Sequence, residues 1–108
     1  MSTYNAPIRD MKFLFHDLGL LKAVQELPGC EDASADLVDA VLEESGKLAG
    51  SILAPLNTVG DTEGAVLENG MVRTAEGFSD AYRAFVDGGW NSLPFDPANG
   101  GQGLPWLV

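Results

Sequence analysis

Apolar residues recur at three- and four-residue steps from residue 8 onward, with charged residues between them. This spacing is typical of an amphipathic helix. Pro7 stands directly before the run, and proline suits the first position of a helix because its missing N–H would have no partner there. Gly19 interrupts the pattern, which then continues to Pro28 and Gly29. The pattern predicts an arm over residues 1–7 followed by two short helices, or one bent helix.

The strongest periodic signal follows Ser34, a residue that suits the N-cap of a helix. Its apolar positions form one stripe with a period of 3.6 residues: Leu37, Val38, Val41, Leu42, Leu48, Ala49, Ile52, Leu53 and Leu56. Each large aliphatic side chain in the stripe contributes roughly 1.5–3 kcal/mol when it is buried. The stripe therefore predicts a long amphipathic helix that is the main source of stability.

Glycine, proline and charged residues affect the predicted stability, packing and end of this long helix. Gly46 and Gly50 each lose about 1 kcal/mol of helix propensity relative to alanine, and they favour a close helix crossing. Glu43 and Lys47 have the i,i+4 spacing of a favourable ion pair. Pro55 is predicted to kink or end the helix, and residues 57–64 are predicted to be a connector leading out of it.

The period changes in residues 65–74. Two short apolar runs are joined there by Asn69-Gly70, the dipeptide preferred where both central residues of a hairpin turn need positive φ. A last helical pattern covers residues 78–86 and ends at Gly88-Gly89, and residues 90–103 carry turn signals. The predicted fold class is all-α, with three to four helices and a small β-hairpin near residues 65–74.

Composition narrows the class of protein further. The chain has 108 residues, a hydrophobic fraction of 45% and a formal net charge of −10 with only six Lys and Arg residues. Its length predicts one small domain. The scarcity of cations argues against nucleic-acid binding, and no apolar run approaches the roughly 18 residues of a membrane span. The start lacks the features of a signal peptide, and Cys30 is the single cysteine, so we expect a cytoplasmic location.

A glycine-rich stretch, Gly100-Gly101-Gln102-Gly103, invites comparison with a phosphate-binding loop. A dinucleotide fingerprint needs the complete Gly-x-Gly-x-x-Gly spacing between a strand and a helix, and a Walker loop needs a following Lys-Ser or Lys-Thr pair. Neither pattern is present, because Leu104 and Pro105 follow Gly103. The stretch is therefore interpreted as tight turns.

Other residue types that carry chemistry are isolated along the chain. His16 is the only histidine, and Ser45 and Ser51 have no histidine at a suggestive spacing. The carboxylate pairs Glu31-Asp32 and Glu43-Glu44 are adjacent in sequence, so on a helix they point in different directions. The aromatic residues favour a core over a cofactor box, and they are Phe13, Phe15, Phe78, Tyr82, Phe85 and Trp90. Composition and spacing assign no catalytic, cofactor-binding or metal-binding residue.

Several segments together resemble one known family. They begin with residues 4–11 (YNAPIRDM) and residues 37–44 (LVDAVLEE), and continue with 53–57 (LAPLN), Gly60-Asp61 and Gly77-Phe78. They end with 81–85 (AYRAF), 88–90 (GGW) and 100–105 (GGQGLP). In this order and spacing the segments resemble the acyl-CoA dehydrogenase family, in the subgroup that carries an N-terminal extension and includes enzymes acting on 3-methylmercaptopropionyl-CoA.

The resemblance implies a flavoprotein with FAD as cofactor. Members of this family dehydrogenate acyl-CoA thioesters: a glutamate base removes the α-proton, the β-hydride passes to the flavin, and the electrons leave through an electron-transfer flavoprotein. It implies that residues 1–108 are part of a helical N-terminal domain. The middle β-domain and the C-terminal helical domain, which hold the flavin and the base, would then lie beyond Val108, so no residue here is nominated for either role.

Two hypotheses follow for the chain itself. The first is an N-terminal piece of an acyl-CoA dehydrogenase, inert and without cofactor by itself, whose parent binds acyl-CoA and forms a homo-oligomer. As an isolated piece it is expected to self-associate or to be marginally stable. The second is a free-standing acidic helical interaction module, in which residues 105–108 offer their terminal carboxylate to a partner domain.

Overall fold

The computed structural model describes residues 4–108. The elements in this range are α1 (Ile8–Lys12), α2 (Leu20–Gln25), α3 (Ala35–Leu48), α4 (Leu56–Glu63), β1 (Val66–Glu68), β2 (Met71–Arg73) and α5 (Phe78–Asp87). Two π-helical turns, Phe13–Asp17 and Ala49–Leu53, directly continue α1 and α3. The predicted class, helical with one small hairpin, is confirmed. Part of the arm predicted for residues 1–7 lies outside the described residues.

The first helical stretch is bent, as the sequence predicts. α1 continues into the π-helical turn Phe13–Asp17, and Gly19 then adopts a left-handed conformation with φ 73° before α2 begins. Glycine adopts this conformation without the steric cost that a Cβ atom imposes. The bend lets Phe15, from the π-helical turn, and Leu21, from α2, both enter one buried cluster.

The long helix begins where the sequence predicts but divides into two. The Ser34 side chain accepts a hydrogen bond of 3.2 Å from the backbone N–H of Leu37, which satisfies one of the free donors at the start of α3. The prediction that residues 57–64 form a connector is wrong, because Leu56–Glu63 forms α4. Pro55 occupies the N-cap of α4, where its missing N–H costs no hydrogen bond, so it starts a helix as well as ending one.

The hairpin confirms the prediction from Asn69-Gly70. Both turn residues have positive φ, 52° for Asn69 and 76° for Gly70, as a type I′ turn requires. The strands are antiparallel with the register Val66↔Arg73, Leu67↔Val72 and Glu68↔Met71. Nearly all of its side chains are exposed, and a two-stranded hairpin with exposed faces is marginal in water.

The last helix, α5, packs its beginning against α4. A Cβ atom on Gly60 of α4 would lie 2.7 Å from Cζ of Phe78, so glycine at this position allows the ring to approach the helix backbone. After α5 the chain forms an irregular loop with two short 3₁₀ turns, Trp90–Ser92 and Pro97–Asn99. The loop returns the chain to the first helices, because Val108 packs against the cluster that contains Phe15.

The buried apolar residues form one main cluster with a few additions. The cluster consists of Phe15, Leu21, Ala33, Val38 and Leu42, with Ile8, Met11 and Val108 packed against it. Three further apolar residues are buried outside this cluster, in the C-terminal half of the chain: Ala75, Ala81 and Leu104. The radius of gyration is 17.2 Å and the shortest dimension is 16 Å, whereas a compact domain of this length has a radius of gyration of about 13 Å. The fold is therefore a flat body with a small core.

Candidate functional site

A cluster of four charged or ionisable side chains joins the first helical stretch to α3. His16 Nε2 lies 2.6 Å from Asp39 Oδ1, so the imidazole can donate a hydrogen bond to the carboxylate. Lys12 Nζ donates to Glu43 Oε1 at 2.5 Å and lies 3.7 Å from Asp39 Oδ2. Lys12 and His16 are four residues apart, and so are Asp39 and Glu43, so the ammonium of Lys12 and the imidazole of His16 face two carboxylates of α3.

The neighbouring side chains shift the pKa values of two members of this cluster. The hydrogen bond from His16, assisted by the charges of His16 and Lys12, lowers the pKa of the Asp39 carboxyl. The hydrogen bond to Glu43, assisted by the charge of Asp39, raises the pKa of Lys12. Both shifts favour the charged forms. The cluster therefore acts as an ionic contact between α1, with its π-helical extension, and α3.

We expect the contribution of Asp39 to stability to disappear in acid. Because the folded state lowers the pKa of Asp39, the contribution is complete above the unfolded value of about 3.9 and is lost as the pH falls through the folded value. Asp39→Asn should lower the free energy of unfolding at pH 7 by up to about 1 kcal/mol, as for partly exposed pairs. Urea unfolding of the original chain and the variant between pH 7 and pH 3 measures the difference.

The difference between the two chains should begin to shrink below about pH 4, where the Asp39 carboxyl becomes protonated in the unfolded chain, and should disappear once the pH is below the lowered pKa of the folded state. Asp61→Asn removes a carboxylate on α4, outside the cluster, and controls for the change in net charge. A difference between Asp39→Asn and the original chain that stays constant to pH 3 would contradict the role assigned to Asp39.

An open groove of about 710 Å³ lies beside this cluster. Residues 4–8 form one of its walls, and residues 43–51, in α3 and the π-helical turn that follows it, form the other. Gly46 and Gly50 form part of its floor. A Cβ atom on Gly46 would lie 3.2 Å from both Ala6 Cβ and Ile8 Cδ1, and one on Gly50 would lie 3.4 Å from the carbonyl oxygen of Tyr4. The close crossing predicted at these glycines is therefore occupied by the N-terminal arm and the start of α1.

Three of the polar side chains that line the groove, those of Glu43, Lys47 and Ser51, have partners on the protein. Lys47 Nζ contacts Glu44 Oε1 at 2.5 Å, and Ser51 Oγ donates to the carbonyl oxygen of Lys47. Lys47 therefore forms its ion pair with Glu44. The predicted Glu43–Lys47 pair is wrong, because Glu43 forms its ion pair with Lys12. Within residues 4–108 no group of three or more His, Cys, Asp or Glu side chains is placed to hold a metal ion.

The glycine-rich loop uses its backbone donors internally. The N–H of Gly101 donates to the carbonyl of Asp96, that of Gln102 to Ser92, and that of Gly103 to Phe95, at 2.9–3.0 Å. The Gln102 side chain also donates to the carbonyl of Gly89 at 2.8 Å. These bonds fold residues 89–104 into a closed loop, in which the three N–H groups are not available to cradle a phosphate.

The aromatic residues are less buried than the sequence predicts. Phe15 is buried in the main cluster, but Phe13, Phe78 and Tyr82 are exposed. The prediction that the whole set forms a core is therefore wrong for these three. Phe78 keeps part of its ring against Gly60 of α4, whereas Tyr82 is 70% exposed on the outer side of α5.

No protein-family model matches the chain. It is 46% identical over 106 residues to the 3-methylmercaptopropionyl-CoA dehydrogenase of Ruegeria pomeroyi, an alignment covering 98% of the chain and 18% of that protein. It is 31% identical over 111 residues to the broad-specificity linear acyl-CoA dehydrogenase FadE5 of Mycobacterium tuberculosis, covering 100% of the chain and 18% of that protein. These similarities confirm the resemblance to the acyl-CoA dehydrogenase family.

The chain thus spans about a fifth of the length of these two relatives, 18% in each case. The part of the chain that the structure describes contains no helix that is long and apolar enough to cross a membrane.

Proposed function

We propose that this chain is part of the helical N-terminal domain of a flavin-dependent acyl-CoA dehydrogenase, an oxidoreductase that converts acyl-CoA thioesters into 2-enoyl-CoA. The observation that carries the proposal is the 46% identity over 98% of the chain to a 3-methylmercaptopropionyl-CoA dehydrogenase. In this proposal the enzyme is a cytoplasmic homo-oligomer that passes electrons to an electron-transfer flavoprotein. A middle β-domain and a C-terminal helical domain supply the catalytic base and the main flavin contacts.

Two features of the described residues support the assignment of flavin binding to other parts of the enzyme. In the glycine-rich loop, the N–H groups of Gly101, Gln102 and Gly103 donate hydrogen bonds to carbonyl oxygens of the same loop. The groove beside α3 is open, and Lys47, its cation, already pairs with Glu44. Pyrophosphate binding requires free backbone donors or cations. The chain alone is therefore proposed to be catalytically inert.

Expression of the longer open reading frame beside the 108-residue chain tests this proposal. The longer protein should purify with the visible absorbance of a flavin and should lose that absorbance when an acyl-CoA is added without an electron acceptor. The 108-residue chain should show neither property, even after incubation with FAD. A stop codon directly after Val108, or turnover of an acyl-CoA by the short chain, would contradict the proposal.

The alternative, a free-standing interaction module that presents its C-terminal carboxylate, has less structural support. Residues 105–108 would have to extend away from the fold to add to a partner's sheet. Pro105 is buried, and Val108 packs against the main buried cluster. These contacts hold the tail on the fold.

A further inference from the structure

Helix α5 carries an apolar stripe on its exposed side. Phe78, Tyr82 and Val86 follow one another at four-residue steps and so lie on one face of the helix. They are 39%, 70% and 36% exposed, whereas Ala81, on the inner side, is 6% exposed. Asp80, Arg83 and Asp87 supply the polar positions of α5. Helix α5 therefore has apolar residues on its inner side and a second row of apolar residues on its outer side. We name this outer row, Phe78, Tyr82 and Val86, the α5 stripe.

The fold leaves the centre of the stripe, at Tyr82, without a covering layer. A helix with two apolar sides normally lies between two layers of structure. Phe78, at the start of the stripe, lies against Gly60 of α4, but Tyr82, at its centre, is 70% exposed. The flat shape of the fold agrees with this, because the radius of gyration of 17.2 Å exceeds the compact value of about 13 Å for this length. A layer that covers Tyr82 would therefore come from outside residues 4–108.

Two occupants compete for the stripe: a second copy of this chain and the remaining polypeptide of a larger enzyme. The formal net charge of −10 weakens the association of two copies at the stripe, because like charges repel. The chain spans only 18% of each of its two relatives, so more than four-fifths of such a polypeptide is available as a covalently linked layer. Linkage raises its effective concentration at the stripe without any loss of translational freedom.

We propose that the α5 stripe is the surface on which the remaining polypeptide of the acyl-CoA dehydrogenase packs, with Tyr82 at its centre. The inference rests on the proposed function, because it takes the occupant from the same polypeptide. It assigns α5 to the interior of the intact enzyme, although Tyr82 is the most exposed of the three stripe residues in the isolated fold.

The test compares two variants that each lower the net charge by one on the same helical turn. Tyr82→Glu places a carboxylate in the stripe, and Arg83→Gln removes a charge from the neighbouring exposed position. Each variant is made in the protein expressed from the longer open reading frame and in the 108-residue chain. Thermal unfolding, acyl-CoA turnover and sedimentation are measured for all of them.

In the longer protein Tyr82→Glu should lower Tm by at least ~3 °C, because the carboxylate is buried without a partner, while Arg83→Gln should change Tm little. In the 108-residue chain Tyr82→Glu should leave Tm nearly unchanged, since position 82 is exposed there. This contrast separates loss of an interdomain contact from failure of α5 to fold.

Three outcomes would overturn the inference while turnover by the longer protein upholds the proposed function. The first is an equal Tm for both variants in the longer protein. The second is a loss of stability in the short chain as large as in the longer protein. The third is a short chain that forms a stable dimer which Tyr82→Glu dissociates, because the occupant is then a second copy. Absence of turnover in the unsubstituted longer protein contradicts the proposed function instead.

Discussion

Replacing Leu42 by alanine is expected to lower the free energy of unfolding by about 2–5 kcal/mol. Leu42 lies on α3 in the main buried cluster, beside Val38, which is 0% exposed. The loss combines the transfer of apolar atoms out of the core with the cavity that remains. Because the cluster has only five members, few neighbours are available to fill the space. Chemical unfolding followed by far-ultraviolet circular dichroism measures the change.

Leu37→Ala is the matched control for this prediction, since it makes the same chemical change on the same helix. Leu37 is 43% exposed, so its truncation should cost well under the Leu42 value, within about 1 kcal/mol. Equal losses for the two variants would show that the buried cluster is not the main source of stability.

Replacing Gly101 by alanine is expected to disrupt the loop over residues 89–104. A Cβ atom on Gly101 would overlap the carbonyl oxygen of Phe95, and it would lie 2.7 Å from Phe95 Cβ. The same carbonyl accepts the N–H of Gly103 at 2.9 Å, so it cannot move away without losing that hydrogen bond. Overpacking of this kind costs typically about 1–3 kcal/mol and occasionally more.

Tryptophan fluorescence and circular dichroism together measure the Gly101 effect. Both tryptophans, Trp90 and Trp106, lie in the loop and tail, while most helical residues lie before them. Gly101→Ala should change the tryptophan emission and leave most of the helical signal in place. Asn99→Ala, at an exposed position of the same loop, should change neither. A Gly101→Ala emission spectrum identical to that of the original chain would contradict the steric argument.

Local signals explain which parts of the fold were predictable from the sequence. The cap at Ser34, the bend at Gly19 and the turn at Asn69-Gly70 each depend on the conformational preference of one or two residues. The error at residues 57–64 has the same origin, since Pro55 gives a strong signal for the end of one helix and a weaker one for the start of the next. The sequence could not decide between these roles.

Contacts between distant residues were not predictable in the same way. Asp39 lies 23 positions from His16, and Glu43 lies 31 positions from Lys12. The available signal was the matched spacing of the two pairs, with basic residues at positions 12 and 16 and acidic residues at positions 39 and 43. The sequence alone favoured the local Glu43–Lys47 pair because it did not show which helix faces α3.

The exposed aromatic residues were mispredicted for a different reason. Hydrophobic periodicity identifies the side of a helix that prefers an apolar neighbour, but it does not say whether that neighbour belongs to the same stretch of sequence. Phe13, Phe78 and Tyr82 satisfy the pattern and are exposed. The chain covers only 18% of each of its two relatives, which is why we propose that the neighbour of Tyr82 lies in the remaining polypeptide.

The separation of the buried residues into two groups has a consequence for cooperativity. The N-terminal half has four large buried apolar side chains, those of Phe15, Leu21, Val38 and Leu42. The buried apolar residues of the C-terminal half are Ala75, Ala81 and Leu104, of which only Leu104 is large. At roughly 1.5–3 kcal/mol for each large apolar side chain, the second half has much less free energy opposing its opening. We therefore expect it to open as a separate, weaker cooperative unit, so that in a hydrogen-exchange measurement the amide hydrogens of α5 should exchange through partial opening while α3 remains folded.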